Sequence, residues 1–378
     1  MKNILLDCTT LSKKIDGLTQ YTMSVILELL KLNDDKFTII FRQNELPENY
    51  VNQLTKFSNR IVFEEVNIKT IGPIRDITFA LWYRKNRKRF DLFYEPSAQY
   101  PFGVKGGIYT IHDILYEEFP EKLGKFCKLK KLYLHFVVRR GLKKANKIIA
   151  VSNFTKNEIC KYHGNRFTNK IDVIYEGFEH LKNIKIDEND NFVSNLLNFN
   201  KNYFLYIGSS RGHKNLHNLF LAFEKADLDW KLLVIGRMDR LDETDKILVE
   251  RINKNDQKII FTGWINDAQM YGVLSKANAF VFPSKSEGFG IPILESWYFN
   301  VPLLCSNIPV FNEIAKDACI TFDPFDIDDI ANVLQSFTKK TKDQYQLLIE
   351  KQNKYLKNYS WHETAKKINN IFMENIKQ

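Results

Sequence analysis

The chain has 378 residues, 44% hydrophobic and 26% charged, with a formal net charge of +10. That length exceeds one ordinary core and points to two domains, and the composition is that of a soluble globular protein. No apolar run is long enough to span a bilayer, and five scattered cysteines without Cys-x-x-Cys spacing argue against a disulfide scaffold or a zinc module. The seven histidines likewise form no metal-binding spacing. Reduced thiols place the chain in a cytoplasm, and Met1 to Asp7 reads as a strand because its apolar stretch is too short for an export signal.

From the amino terminus, strands are predicted at Asn3 to Leu6, Phe37 to Phe41, Ile61 to Glu65, Leu92 to Tyr94, Gly107 to Thr110 and Lys147 to Val151, with a helix through Tyr21 to Leu32. Alternation of this kind builds a parallel sheet with covering helices. After Ile171 to Tyr175 the pattern stops, and residues 177–200 are polar and Asn/Asp-rich, as in a linker carrying one short helix. A second series follows at Tyr203 to Ile207, Trp230 to Ile235, Lys258 to Phe261, Ala279 to Phe282 and Pro302 to Cys305. Trp361 to Ile376 has helical spacing. The expected architecture is α/β, with two Rossmann-like domains facing one another over residues 1–180 and 181–358. A terminal helix within 359–378 is expected to cross back to the first domain and pack at their junction.

The charge is uneven. Residues 1–180 hold 30 Lys and Arg against 20 Asp and Glu, whereas residues 181–378 hold 25 of each. Arg84 to Arg89 follows Phe79, Leu81, Trp82 and Tyr83, and the stretch from Lys122 to Lys147 interleaves cations with Phe126, Leu129, Leu132, Tyr133, Phe136 and Val137. Such faces suit an anionic membrane surface or nucleic acid. An amphipathic helix with its apolar stripe in the core accounts for them equally well. No nucleic-acid-binding module is present in the sequence.

The segment from Phe282 to Glu295 is the most informative. Glu287 and Glu295 lie eight positions apart around Gly288, Phe289 and Gly290, where a buried strand hands over to a helix starting at Ile291. Ligands bind beyond the carboxyl ends of strands in open α/β sheets. Glycines let backbone N–H groups approach a ligand, and a helix start favours anions or hydroxyl oxygens. The loop Gly208 to Asn215 brings Arg211 and Lys214 to another helix start, a suitable pyrophosphate cradle or an ordinary polar loop. His112 and Asp113 follow the strand at Gly107, where the histidine can move a proton or serve structure alone. Gly17 lies in the segment Ile15 to Tyr21 that joins the first strand to the first helix. It allows close approach to a sugar or phosphate, or simply turns the chain. Ser152 contacts a ligand or caps a helix.

Taken together, these motifs resemble the retaining glycosyltransferase family 4, of GT-B fold. The pair Glu287 and Glu295 matches that family's E-x7-E motif. Thr110 to Asp113, Ile149 to Phe154, Tyr206 to Gly208 with Lys214 and Asn215, Phe261 to Trp264, Asn312 to Ile314 and Tyr359 to Ala365 follow in the expected order. The chain departs from the common pattern at Gly17-Leu18-Thr19, where many members carry Gly-x-Gly. It departs again at His213-Lys214-Asn215, where many carry Arg-Lys-Asn.

The resemblance implies a metal-independent enzyme without a cofactor, in which Lys214 and Arg211 neutralise a departing nucleoside diphosphate. It implies that Glu295 holds ribose hydroxyls and Glu287 hydroxyls of the transferred sugar, helped by amides near Phe289 and Gly290. His112 contacts that sugar from the other domain, and the base lies near Ile265. The expected activity is hexosyl transfer from a nucleotide sugar to a growing surface glycan of O-antigen or capsule type. The acceptor is carried on a lipid at the inner face of the cytoplasmic membrane. A GT-B phosphorylase or epimerase, or a non-catalytic membrane-surface scaffold, are the rival readings.

Overall fold

A computed structural model describes residues 1–13, 16–97, 100–187, 190–198 and 202–376. Ile15, in the predicted loop before the first helix, and parts of the predicted linker (188–189 and 199–200) lie outside the described residues. The chain forms two compact units, one of Met1–Gly177 with Ser360–Gln378 and the other of Phe178–Tyr359.

The first unit holds seven strands: β1 (Asn3–Asp7), β2 (Lys36–Phe41), β3 (Ile61–Glu65), β4 (Leu92–Glu95), β5 (Ile108–Ile111), β6 (Lys147–Ala150) and β7 (Ile171–Val173). They pair in parallel in the order β3-β2-β1-β4-β5-β6-β7. Register is set with Leu6 opposite Ile39 on one side and Tyr94 on the other. β4 and β5 are buried along their whole length, as expected of parallel strands covered on both faces. The helix Trp361–Ile376 packs in this unit against the helix Gly17–Leu32. Tyr94 meets Phe372 edge-on at 5.3 Å.

The first helix starts four residues earlier than its apolar spacing suggested. Asp16 is its N-cap and accepts the Thr19 N–H at 2.9 Å, so Gly17 opens the helix rather than forming a loop. A Cβ there would meet nothing within 4 Å, and its backbone makes no demand for glycine. Gly17→Ala is therefore expected to raise stability by up to about 1 kcal/mol through helix propensity, measured as a higher thermal midpoint. A fall in transfer activity with that gain would instead reveal close approach of a ligand.

The second unit holds β8 (Tyr203–Ile207), β9 (Lys231–Ile235), β10 (Ile259–Phe261), β11 (Ala279–Phe282), β12 (Leu303–Ser306) and β13 (Ile320–Phe322), all parallel in the order β10-β9-β8-β11-β12-β13. Its core joins Phe204, Tyr206, Leu232, Val234 and Val281 to Leu219, Phe220 and Phe223 of the helix Leu216–Ala226 and to Ile330 and Leu334 of the helix Ile327–Thr338. Both sheets repeat one winding: strand order reverses between β1 and β4, and again between β8 and β11. Among the described residues no helix is long and apolar enough to cross a membrane.

Candidate active site

In open α/β sheets the ligand crevice lies beyond the strand ends at the point where strand order reverses. In the second unit that point separates β8 from β11, and the two loops that leave it are the ones bearing Lys214 and Glu287. They are tied together. The Lys285 N–H donates to the His213 carbonyl at 2.7 Å, and Lys214 Nζ donates to Glu287 Oε1 at 2.6 Å.

Local chemistry fixes the lysine. A single tight turn, Gly212–Lys214, ends at Asn215 in the left-handed conformation (φ 61°), and the Asn215 amide donates to the Pro324 carbonyl at 2.7 Å. Glu287 is largely enclosed. Burial pushes its carboxyl up, but the Lys214 ammonium outweighs this and holds it below the ordinary 4.5. Arg211, which opens the turn, is exposed and makes no ion pair among the described residues.

Gly208, Gly236 and Gly263 follow the neighbouring strands β8, β9 and β10, with the Gly263 N–H donating to the Gly236 carbonyl at 3.0 Å. A Cβ at Gly208 would come within 2.7 Å of the Tyr206 hydroxyl, which the Ser209 carbonyl holds at 2.9 Å. The backbone there is bare for a ligand to approach. Gly290 (φ 107°) caps the helix Ile291–Tyr298, where a Cβ would press on Phe311 at 3.1 Å. Phe289 is buried, edge-on to Tyr359 at 5.9 Å, so at this position only the backbone is offered to a ligand. Gly288 and Ile265 are half-buried, the latter beside Trp264, which is exposed.

Glu295 is buried on the helix Ile291–Tyr298. It accepts the Tyr271 hydroxyl at 2.9 Å and lies 3.6 Å from His180 Nε2. Neither partner carries a sequence signal, since Tyr271 belongs to no motif and His180 lies in the predicted linker. Gly236 was legible only as the residue after a strand.

In the first unit, His112 follows β5. Its Nε2–H donates to the Pro96 carbonyl at 2.9 Å, its Nδ1 faces Glu176 at 3.5 Å, and its ring meets Tyr21 edge-on at 4.5 Å. Asp113 accepts the Leu115 N–H at 3.0 Å. Ser152 is wholly buried and caps the helix Asn153–His163 by accepting the Thr155 N–H at 3.0 Å. The cap is the one of its two sequence readings that the hydroxyl makes here.

The fold also gathers residues that no spacing announced. Glu117, His135 and His163 place potential ligand atoms within 4.8 Å of one another. Lys131 forms an ion pair with Glu117 at 3.2 Å and His135 Nδ1 lies 2.5 Å from the same carboxylate, while burial and the adjacent His135 push His163 down to about 4, leaving it neutral. At the switch point of the first sheet, Arg75 is fully buried between Asp7, the last residue of β1, at 2.7 Å and Glu95, the last residue of β4, at 3.3 Å.

Two family models match the chain. "Glycosyltransferase Family 4" matches residues 15–180, and "Glycosyl transferases group 1" matches residues 187–371. O-antigen chain mannosyltransferase RfbU of Salmonella typhimurium (strain LT2) is 28% identical over 267 residues, 70% of this chain and 69% of that protein. O-antigen chain mannosyltransferase B of Escherichia coli is 28% identical over 264 residues, covering 68% of this chain and 67% of that protein. The fold matches Anabaena HepE in complex with UDP and glucose, with a TM-score of 0.73 at 15% identity over 99% of this chain and all of that one. It also matches WaaG, a glycosyltransferase involved in lipopolysaccharide biosynthesis, with a TM-score of 0.73 at 14% identity over 97% of this chain and 99% of that one. With both models matched in order along nearly its whole length, the chain belongs to the family 4 glycosyltransferases of GT-B fold.

Proposed function

We propose that the protein is a retaining, metal-independent hexosyltransferase that adds a mannose-class sugar from a nucleoside diphosphate donor to a hydroxyl of a lipid-linked, O-antigen-type glycan. The observation that carries this reading is the Lys214 ammonium, 2.6 Å from Glu287 at the β8/β11 switch point. The mannosyl and O-antigen assignments draw on the relatives' names.

In the proposed step the bond from the anomeric carbon to the diphosphate oxygen breaks while a bond to the acceptor oxygen forms on the same face. The acceptor proton passes to the leaving diphosphate. Lys214 and Arg211 stabilise the charge that grows on that diphosphate. Glu287, ion-paired and largely enclosed, suits hydroxyl binding on the transferred sugar, and Glu295, buried beside Tyr271, suits the ribose. Gly208, Gly236 and Gly290 give backbone access. The basic first 180 residues support work on the cytoplasmic face of an anionic membrane.

The test is incubation of the EDTA-treated protein with GDP-mannose, UDP-glucose or a dTDP-sugar, together with a lipid-linked glycan acceptor. NMR is used to read the anomeric configuration of the product. Transfer with retention is expected, with the mannosyl donor preferred. An inverted product, a requirement for added metal, or turnover only with inorganic phosphate would overturn the proposal.

A further inference from the structure

Two helices of the first unit repeat one unusual arrangement. In the helix Pro73–Asn86, Ile74, Ile77 and Leu81 recur at i, i+3 and i+7. In the helix Cys127–Lys144, Leu129, Leu132 and Phe136 recur at the same spacing. Such spacing lines one face of a helix and ordinarily marks the face that is buried. Here all six side chains are exposed, from 55% for Phe136 to 68% for Leu129. Each row is extended by a residue just before its helix, Ile71 at 65% and Phe126 at 78% exposed. The core contacts come from other positions, Phe79 in the one helix and Val137, Val138 and Leu142 in the other.

The two rows belong to one surface. Tyr133 donates to Asp76 across the helices, and Phe102 lies between them, 6.1 Å from the Phe136 ring. A groove of about 400 Å³ runs there, lined by Pro73, Asp76, Ile77, Ala80, Leu81, Phe102 and Tyr133, with the buried Asp76 carboxyl taken up by the Tyr133 hydroxyl. Cations frame it. Arg84, Lys85, Arg87, Lys88 and Arg89 are exposed at the end of the first helix, and Lys125, Lys128 and Lys130 at the start of the second, which contains no acidic residue. Large apolar side chains bordered by such cations complement an anionic bilayer, whose headgroups meet the cations while its acyl region takes the apolar rows.

We infer that this two-helix face is a membrane-docking surface, on which Ile74, Ile77, Leu81, Leu129, Leu132 and Phe136 enter the acyl boundary of an anionic leaflet and one lipid chain occupies the groove between the helices. This inference names the docking face for the membrane partner proposed above and rests on that reading for its biological setting. Its physical content is independent of donor and acceptor. Interfacial helices of this kind sit about 5–10 Å into the headgroup and acyl boundary. The apolar rows give depth, and the basic rim gives preference for negative charge.

Vesicle sedimentation of the full chain tests it, using phosphatidylcholine alone or mixed with phosphatidylglycerol, without any sugar substrate. The wild type is expected to partition at least tenfold more strongly onto the anionic vesicles. The variant Leu129→Ser/Leu132→Ser/Phe136→Ser, altered only at exposed positions, should lose at least tenfold of that partition while its circular dichroism and its transfer to a water-soluble acceptor stay unchanged. In Phe136→Trp, quenching by brominated acyl chains should report insertion. Equal partition of the serine variant, absence of quenching, or concentration-dependent self-association that the serine substitutions abolish without any vesicle binding would overturn the inference. Vesicle binding with no glycosyl transfer would leave it standing and sink the proposed activity instead.

Discussion

Replacing Lys214 by alanine is expected to lower kcat by about two to three orders of magnitude, with a smaller change in the affinity for the free nucleoside diphosphate. Loss of one preorganised charge-stabilising group costs about 2.7–4 kcal/mol of transition-state stabilisation when the charge it meets grows during the reaction. Lys214 is placed for this at the β8/β11 switch and is held by Glu287 at 2.6 Å. Glu295→Gln provides the contrast. Its partner is the Tyr271 hydroxyl at 2.9 Å rather than the lysine, so its effect should fall on nucleotide binding and raise KM. Steady-state kinetics with calorimetric titration of the diphosphate separates the two, and an unchanged kcat in Lys214→Ala would reject the assignment.

The same substitution has a signature in pH that does not depend on turnover. In the wild type, Glu287 is held below its ordinary 4.5, so the unfolded chain binds more protons than the folded one in that region. Its contribution to stability is therefore complete above about pH 4.5 and is lost as pH falls through the lower folded value. Without the ammonium, burial, the largest influence on Glu287, is opposed only by the lesser effects of Ser284 and His213, and the carboxyl moves up. The contribution then reverses sign, favouring the folded state at low pH and being lost as pH rises through the raised value. Thermal midpoints measured from about pH 3 to about pH 7 should show this change of slope, which proton linkage requires of a carboxylate whose folded-state value moves from below to above its unfolded one.

The parts of the fold legible in sequence are those where period, length and punctuation agree. β8, β11 and the helix Ile291–Tyr298 fall at their predicted bounds because an all-apolar strand of four or five residues is closed at once by glycine, proline or serine. β13 has only Ile320–Phe322 and a mixed burial pattern, too short for a period to register. The segment around Gly17 read as a turn, whereas Asp16 caps a helix that Gly17 opens. Periodicity found the exposed rows of the helix Cys127–Lys144 without telling which side of the helix faces the core, since Leu129 and Val137 are equally apolar. Within the site, Lys214, Glu287 and Glu295 were legible because a loop at a strand end is a local feature. Tyr271 and His180 were not, because their proximity to Glu295 is created by packing between elements distant in sequence.

Replacing Arg75 by methionine is expected to destabilise the first unit by about 3–5 kcal/mol, the range for removing one partner of a buried charge pair. Arg75 is fully buried, and its guanidinium is the cation set between Asp7 and Glu95, with Asp76 at 3.6 Å. Burial and the nearby Asp7 push the Glu95 carboxyl well above its usual range. Loss of the arginine would leave Asp7 enclosed without a counter-charge. Damage should reach the loops beyond the sheet, because Asp7 also accepts the Thr9 N–H at 3.0 Å and Glu95 the Ser97 N–H at 3.0 Å. These two carboxylates end β1 and β4, the strands that flank the switch point of the first sheet, so the cluster acts as a positioning device for the segments that leave it. Hydrogen exchange read peptide by peptide suits a chain of two units, in which one global unfolding free energy is poorly defined. Arg75→Met should speed exchange in β1 and β4 and leave β8 and β11 unchanged. The triple variant Asp7→Asn/Arg75→Met/Glu95→Gln should recover much of the loss, because replacing the whole cluster by neutral groups removes the desolvation cost as well. If Arg75→Met exchanges like the wild type, the buried ion cluster does not hold this end of the sheet together.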